Sequence, residues 1–379
     1  MQGIASGPKV RLPKVRLTDA PWVGRCPLVY GVFAEVPDAS TIVRKNSEST
    51  SPRAPEPGAQ AVSRPDISFI VAAHDVAPYV EAAVRSALQQ RGVEVEVIVV
   101  DDASSDSTAD IVAAIAASDP RVRLIRRTTS GGPSIARTEA IARASGGWLA
   151  ILDGDDLIAP ERSRHLIDLA GATGADLVGD NFERFSLERA GVGGTMIPRG
   201  QAPYAFFVDV ASFIGGNTVL RTRHLNFRAI KPVFRAEFLA AKSIGYISDL
   251  PIGEDYHICL ACLTSGGRFV VTSESFYKYR VRQGSQSERL REEHINLLLK
   301  AHAQAGVERT WQDDDKVAAT GRDYLRALER ARTFARIVDQ LKNHQVGSAL
   351  RAAMLTPDAW QLILRFGVEA ITKRLRRLA

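Results

Sequence analysis

A chain of 379 residues, 45% hydrophobic and 24% charged, can bury a large core and is neither fibrous, low-complexity nor natively unfolded in composition. Its three cysteines are too few for a secreted disulfide framework, which favours a reducing cytoplasm. A net charge of +6 suits nucleic acid, nucleotide diphosphates or an anionic membrane surface without choosing among them, and no apolar run approaches the roughly 20 residues that span a bilayer.

Residues 1–64 hold Pro, Ser, Ala and Arg without sustained period and lack the apolar stretch of a secretory signal, so a poorly ordered leader or linker is expected there. From Asp66 the pattern changes to short apolar strands alternating with helices, which predicts an α/β fold: a mainly parallel sheet with helices on both faces. Strands are expected at 67–73, 93–100, 122–125, 148–152 and 176–179, and helices at 78–90, 105–118, 134–144 and 161–170. Further on, a helix begins at Glu254-Asp255 and runs through Leu263. Residues 277–282 alternate like an edge strand entering a loop at Gln283-Gly284-Ser285. After about 290 the chain reads as a helical C-terminal extension rich in Ala, Leu and Arg. Its last helix repeats Trp360, Leu364, Val368, Ile371, Leu375 and Leu378 at steps of three or four, beside Arg365, Lys373, Arg374, Arg376 and Arg377. An anionic membrane surface and packing against the main domain explain that stripe equally well.

The most informative run is Leu152-Asp153-Gly154-Asp155-Asp156, which ends an apolar strand with three carboxylates around one glycine. Mn²⁺ or Mg²⁺ takes oxygen ligands, and one or two carboxylates plus substrate phosphates usually complete its shell. Asp153 and Asp155 suit that task, with Gly154 admitting a diphosphate and Asp156 bracing the site from behind; the other reading is an acidic turn capping the helix that starts near Pro160. Asp75, Asp101 and Asp102 also follow strands, and ligands of an open parallel sheet collect at the strands' carboxyl ends. Asp102 can accept a hydrogen bond from a pyrimidine N–H. Arg137 can face a base or phosphate, or be a solvated helix charge. Cys259, Cys262 and His257 fall short of the four ligands of a structural zinc site and read as core residues. Scattered basic residues without interleaved aromatics argue against nucleic acid.

Several segments together resemble the family 2 inverting glycosyltransferases of GT-A fold: Phe69 to Asp75, Val97 to Thr108, Gly131 to Arg137, Gly146 to Asp156 and Ile252-Gly253-Glu254-Asp255. The resemblance covers about 66–285 and implies a GT-A domain over 65–290, with a nucleotide-sugar half at 65–182, an acceptor half at 183–290 and the helical extension at 291–379. It further implies that Asp75 and Asp102 hold the nucleoside, that Arg137 lines the donor pocket, and that Asp153 and Asp155 handle ribose and metal. Gly215-Gly216-Asn217 resembles a loop beside the sugar. Asp255 is expected as the base that takes the acceptor's proton, with Glu254 orienting the helix or acceptor. Arg280 and Arg282 either neutralise the leaving diphosphate or form a solvated strand face. Two departures stand out: His74-Asp75 where the family more often has Tyr-Asn, and no metal-binding histidine near residue 280.

The expected reaction is metal-dependent transfer from a UDP-sugar, UDP-glucose first, to a polysaccharide or lipid-linked oligosaccharide at the cytoplasmic membrane face. The segments around Lys231, Glu254 and Tyr279 resemble members that assemble exopolysaccharides such as succinoglycan. A nucleotidyltransferase would carry a Gly-rich loop after the first strand, and Ala72-Ala73-His74-Asp75 has none; a binding protein without chemistry would not need Glu254-Asp255.

Overall fold

The computed structural model describes residues 33–34, 64–186, 193–197, 203–218, 227, 230–282, 291–304 and 314–355. The expected loop at 283–285, the stripe beyond residue 358 and all of the leader except 33–34 and residue 64 lie outside them.

The strands β1 (Phe33–Ala34), β2 (Ile67–Ala73), β3 (Val95–Asp101), β4 (Val122–Arg126), β5 (Trp148–Asp153), β6 (Leu157–Ile158), β7 (Leu177–Phe185), β8 (Ala205–Val208), β9 (Val233–Arg235) and β10 (Phe269–Arg280) join in one sheet. Their order is β1-β8-β10-β7-β9-β5-β2-β3-β4, with β6 on β10. The block β4-β3-β2-β5 is parallel as expected. Beyond β5 the sheet is mixed, because β9 inserts antiparallel between β5 and β7.

Side chains that alternate along the central strands feed two cores, the behaviour of a strand covered on both faces. Phe69, Val71, Val97 and Val99 pack with helices α1 (Ala77–Leu88), α2 (Thr108–Ser118) and α4 (Arg162–Thr173) through Val80, Val84, Val112, Ile115 and Leu166. Ile70, Ile98, Val100 and Ile151 point the other way, to α3 (Pro133–Ile141), α5 (Val210–Gly216) and α7 (Glu254–Thr264). A short α6 (Ala236–Ala241) follows β9. In the C-terminal region lie α8 (Glu292–Gln304), α9 (Asp315–Lys342) and α10 (Val346–Leu355). Leu298, Tyr324 and Leu328 of α8 and α9 join the second core, where Tyr256 stacks between Tyr324 at 5.0 Å and Phe213 at 5.3 Å. No helix among the described residues is long and apolar enough to cross a membrane.

Two local expectations are corrected. Residues 277 and 278 do not lie on an edge: β10 pairs in parallel with β7 from Phe269 to Arg280, with register shifts between Thr272 and Tyr277, and takes β8 at 269–272 and β6 at 277–278 on its other side. Gly215-Gly216-Asn217 is no open loop. Asp209 caps α5 by accepting from Ser212 N at 2.6 Å, the helix runs to Gly216, and buried Asn217 donates to Phe213 O at 2.8 Å.

Candidate active site at the carboxyl edge of the sheet

Asp153 is the last residue of β5, and the turn behind it brings carboxylate oxygens of Asp153, Asp155 and Asp156 within 4.8 Å of one another. Each is held differently. Asp153 accepts from Arg137 Nη2 at 2.8 Å and from Lys231 Nζ at 2.7 Å. Asp155 accepts from Arg282 Nε at 2.6 Å. Buried Asp156 accepts from Tyr277 OH at 2.8 Å and from the Arg280 backbone N–H at 2.7 Å. Asp156 thus braces the turn, as expected. Gly154 also packs closely: a Cβ there would meet Val76 Cγ2 at 3.2 Å, Ala72 O at 3.5 Å and Ala73 Cβ at 3.6 Å, so the glycine lets the turn lie against the end of β2 and the residues that follow it.

The electrostatics follow from crowding. Burial and the neighbouring Asp153 push Asp155 upward, and burial with Asp153 and Asp155 pushes Asp156 well above the ordinary carboxylate range. Burial acts on Asp153 in the same direction, but Lys231 and Arg137 override it and hold this acid at about 2. An all-oxygen cluster whose charges repel one another fits a hard divalent cation, which would add to the positive charge that Arg137, Lys231 and Arg282 bring to the turn. Among the described residues this trio is the group of acidic, His and Cys side chains close enough to hold a metal. Cys259 and Cys262 are buried, free and on α7.

Arg137 comes from α3 and is buried, which removes the reading of a solvated helix charge. Its Nη1 reaches Glu254 at 2.6 Å and Asp255 at 2.9 Å, so one guanidinium joins the acidic turn to the start of α7. That helix begins at Glu254 because Gly253 takes a left-handed φ of 85°, and a side chain there would strike Leu298 Cδ2 at 2.6 Å. Asp255 also accepts from Tyr246 OH at 3.1 Å and Lys231 Nζ at 2.8 Å. Burial and the adjacent Asp255 raise Glu254, whereas Arg137, despite its burial, is held charged chiefly by Asp255.

Arg280 and Arg282 stand over the acidic turn. Arg280 is buried, donates from Nε to Asp155 O at 2.6 Å and lies over the rings of Phe185 and Tyr79 at 4.5 and 4.8 Å, so it is no solvated strand face. At the neighbouring strand ends, Asp102 is buried and gathers the loop after β4: Ser130 Oγ at 2.8 Å, the N–H groups of Gly131 and Gly132 at 2.9 and 2.7 Å, and Arg127 at 2.9 Å. Asp75 has a left-handed φ of 49° and stays exposed; the Ser105 N–H at 2.7 Å is the main cause that keeps its carboxyl below the ordinary range. His74 Nδ1 lies 2.9 Å from Asp102 O, which ties these two ends together.

A family model described as glycosyl transferase family 2 matches residues 68–228. Succinoglycan biosynthesis protein ExoO of Rhizobium meliloti (strain 1021) is 38% identical over 315 residues, covering 83% of this chain and 87% of that protein. The chain belongs to glycosyl transferase family 2. It is a glycosyltransferase of GT-A fold. Succinoglycan biosynthesis protein ExoU of the same organism is 29% identical over 83% of this chain and 91% of its own length. Among solved structures, S. aureus TarS 1–349 in complex with UDP-GlcNAc aligns with a TM-score of 0.52 at 17% identity, over 78% of this chain and 92% of that one. Mannosyltransferase PcManGT from Pyrobaculum calidifontis, in complex with GDP-Man and Mn²⁺, aligns with a TM-score of 0.50 at 18% identity, over 89% and 88%.

In this family 2 glycosyltransferase the structure gathers Arg137, Asp153, Asp155, Glu254, Asp255, Arg280 and Arg282 at one edge of the sheet, with Asp75 and Asp102 at the adjoining strand ends. The residue that sequence reasoning missed is Lys231, which had no role assigned. The one available signal was a lysine set in the apolar run Ile230-Lys231-Pro232-Val233-Phe234, where a charge needs buried partners.

Proposed function

We propose that this enzyme is a metal-dependent, inverting hexosyltransferase that moves a sugar, glucose in the first instance, from a UDP-sugar to a saccharide or lipid-linked oligosaccharide in exopolysaccharide assembly. The observation that carries the reading is the single charged cluster in which Arg137 and Lys231 join Asp153 of the acidic turn to Glu254-Asp255 of α7. Support for the acceptor class comes from the relatives named for succinoglycan biosynthesis, and support for the donor class from the neighbour crystallised with UDP-GlcNAc. The cytoplasmic face of the membrane, where a lipid-linked acceptor would be reached, is part of the same proposal.

Asp155 and Asp153 would hold Mn²⁺ or Mg²⁺, and a neighbour of this fold carries Mn²⁺. When bound, such an ion neutralises the diphosphate and eases its departure. Asp102 and Asp75 take the nucleoside end, Asp102 with the loop it gathers around itself. Arg280 and Arg282 place positive charge beside the departing UDP. Asp255 accepts the acceptor hydroxyl's proton while the oxygen attacks the anomeric carbon opposite the diphosphate, which inverts that carbon. To do so its carboxylate must exchange one of its donors in the resting cluster for the hydroxyl.

The test is transfer by the purified protein against a panel of nucleotide-sugars across a Mn²⁺ titration, beside Asp155→Ala. Transfer from a UDP-sugar that vanishes in the variant is expected. Undiminished activity of Asp155→Ala would remove that residue from the metal site.

A further inference from the structure

Lys231 reaches the site by register. Antiparallel pairing sets Val233 opposite Ala150 on β5, and Ile151 N donates to Pro232 O at 3.4 Å, so one step further Lys231 comes alongside the end of β5 that carries Asp153. Its backbone is clamped as well. The Lys231 carbonyl accepts from Nη2 of Arg162, a fully buried guanidinium whose Nε donates to Asp180 at 2.9 Å. Buried Lys231 sets its ammonium between Asp153 Oδ2 at 2.7 Å and Asp255 Oδ2 at 2.8 Å. A compact ammonium can bridge two carboxylates approaching from different directions, which a planar guanidinium does less well. Asp153, Glu254 and Asp255 place three negative charges here against the two positive charges of Arg137 and Lys231.

We propose that Lys231 is a positioning residue that couples the two ends of the reaction: it occupies Asp153 as a built-in countercharge until a divalent cation competes for that carboxylate, while it holds Asp255 in place for the acceptor. This rests on the reading of Asp153 and Asp155 as the metal carboxylates and of Asp255 as the base. Its consequence is a pair of effects of opposite sign. Removing the ammonium frees Asp153, so a cation binds more tightly; the same change leaves three carboxylates sharing Arg137, so Asp255 is misplaced and transfer slows.

The experiment measures Mn²⁺ binding by the electron paramagnetic resonance of free Mn²⁺ in the presence of UDP, together with single-turnover transfer, for the wild type, Lys231→Met and Lys231→Arg. Lys231→Met is expected to bind Mn²⁺ about tenfold more tightly and to transfer about tenfold or more slowly, the scale on which groups behind a metal's ligands act. Lys231→Arg restores the charge and returns Mn²⁺ affinity to the wild-type value. Unchanged or weaker Mn²⁺ binding by a folded Lys231→Met overturns the proposal. Where Lys231→Met does not fold, Lys231→Met with Asp255→Asn removes the ammonium together with one of its anions, and the same tightening is expected; failure of this pair to fold shows a packing role and overturns the proposal too. Asp155→Ala separates the layers. If it loses Mn²⁺ while Lys231→Met binds as wild type, the inference alone fails; if it keeps wild-type affinity, the reading of the metal site fails and takes the inference with it.

Discussion

Glu254 and Asp255 are adjacent acids in different surroundings. Asp255 is held by Arg137, Lys231 and Tyr246, whereas Glu254 has its direct ion pair with Arg137 and is raised by burial beside Asp255. A base has to be aimed, and under the proposed mechanism the three donors to Asp255 would do this. Asp255→Asn cannot accept the proton, so single-turnover transfer is expected to fall by about 10² to 10⁴ with UDP-sugar affinity retained, and Glu254→Gln to fall less. Near-normal transfer by Asp255→Asn beside a dead Glu254→Gln would exchange their roles. Asp75, Asp102, Asp153 and Asp155 were legible in the sequence because they stand where apolar strands stop, whereas Glu254, Asp255 and the donor-pocket role of Arg137 were singled out through the family resemblance. Lys231 was not legible, since its place depends on pairing with a strand some 80 residues earlier, which no local period encodes. The packing of Gly154 against Val76 was hidden for a related reason, since that neighbour is brought by tertiary structure.

Among the elements, those with a strong local signal were read well. β2 and β3 are mostly apolar runs because both faces are covered; β2 has the expected bounds, and those of β3 differ by a residue or two. β9, three residues long, and the internal place of β10 were hidden, because short strands and strand neighbours are set by the rest of the sheet. The interface between α7 and α8 was also invisible in sequence. There His257 and His302 face each other with ring centres 6.4 Å apart, and burial lowers them from 6.5 to about 3 and about 4. A histidine kept neutral in the fold but free to protonate when unfolded supports folding fully above pH 6.5 and loses that support as pH falls toward its folded value. The raised Glu254 and Asp156 act in the opposite sense, taking up protons in the fold, so a comparison of slopes isolates the histidine. Unfolding free energies from urea titrations between about pH 6 and 4.5 should fall less steeply for His257→Leu than for the wild type, by about 1.4 kcal/mol per pH unit at most. Parallel slopes would mean that His257 does not contribute to the acid sensitivity.

For the whole molecule, the arrangement of the C-terminal helices decides what the tail can do. α8 and α9 are built into the second core through Leu298, Tyr324 and Leu328, so this part of the extension supports the start of α7 and is no loose appendage. α10 is different: Val346, Leu350 and Met354, spaced four apart on one side, are 54%, 50% and 71% exposed, next to Leu341 at 49%. An apolar face left open at this point leads along the chain toward the basic, amphipathic sequence of 358–379, which lies outside the described residues. A lipid-linked acceptor would reward an enzyme that rests on the membrane, and each basic residue near an anionic surface adds about 1 kcal/mol of attraction. Deleting 358–379 is therefore expected to release the protein from anionic vesicles in a sedimentation assay while UDP-sugar binding persists, because the site at the sheet edge is assembled from residues upstream of the deletion. Raised salt should weaken binding of the full chain in the same assay, since screening acts on the charges and not on the apolar stripe. Unaltered sedimentation of the truncated protein would assign membrane contact, if any, to another surface; loss of UDP-sugar binding together with a lowered melting temperature would instead make the stripe part of the core.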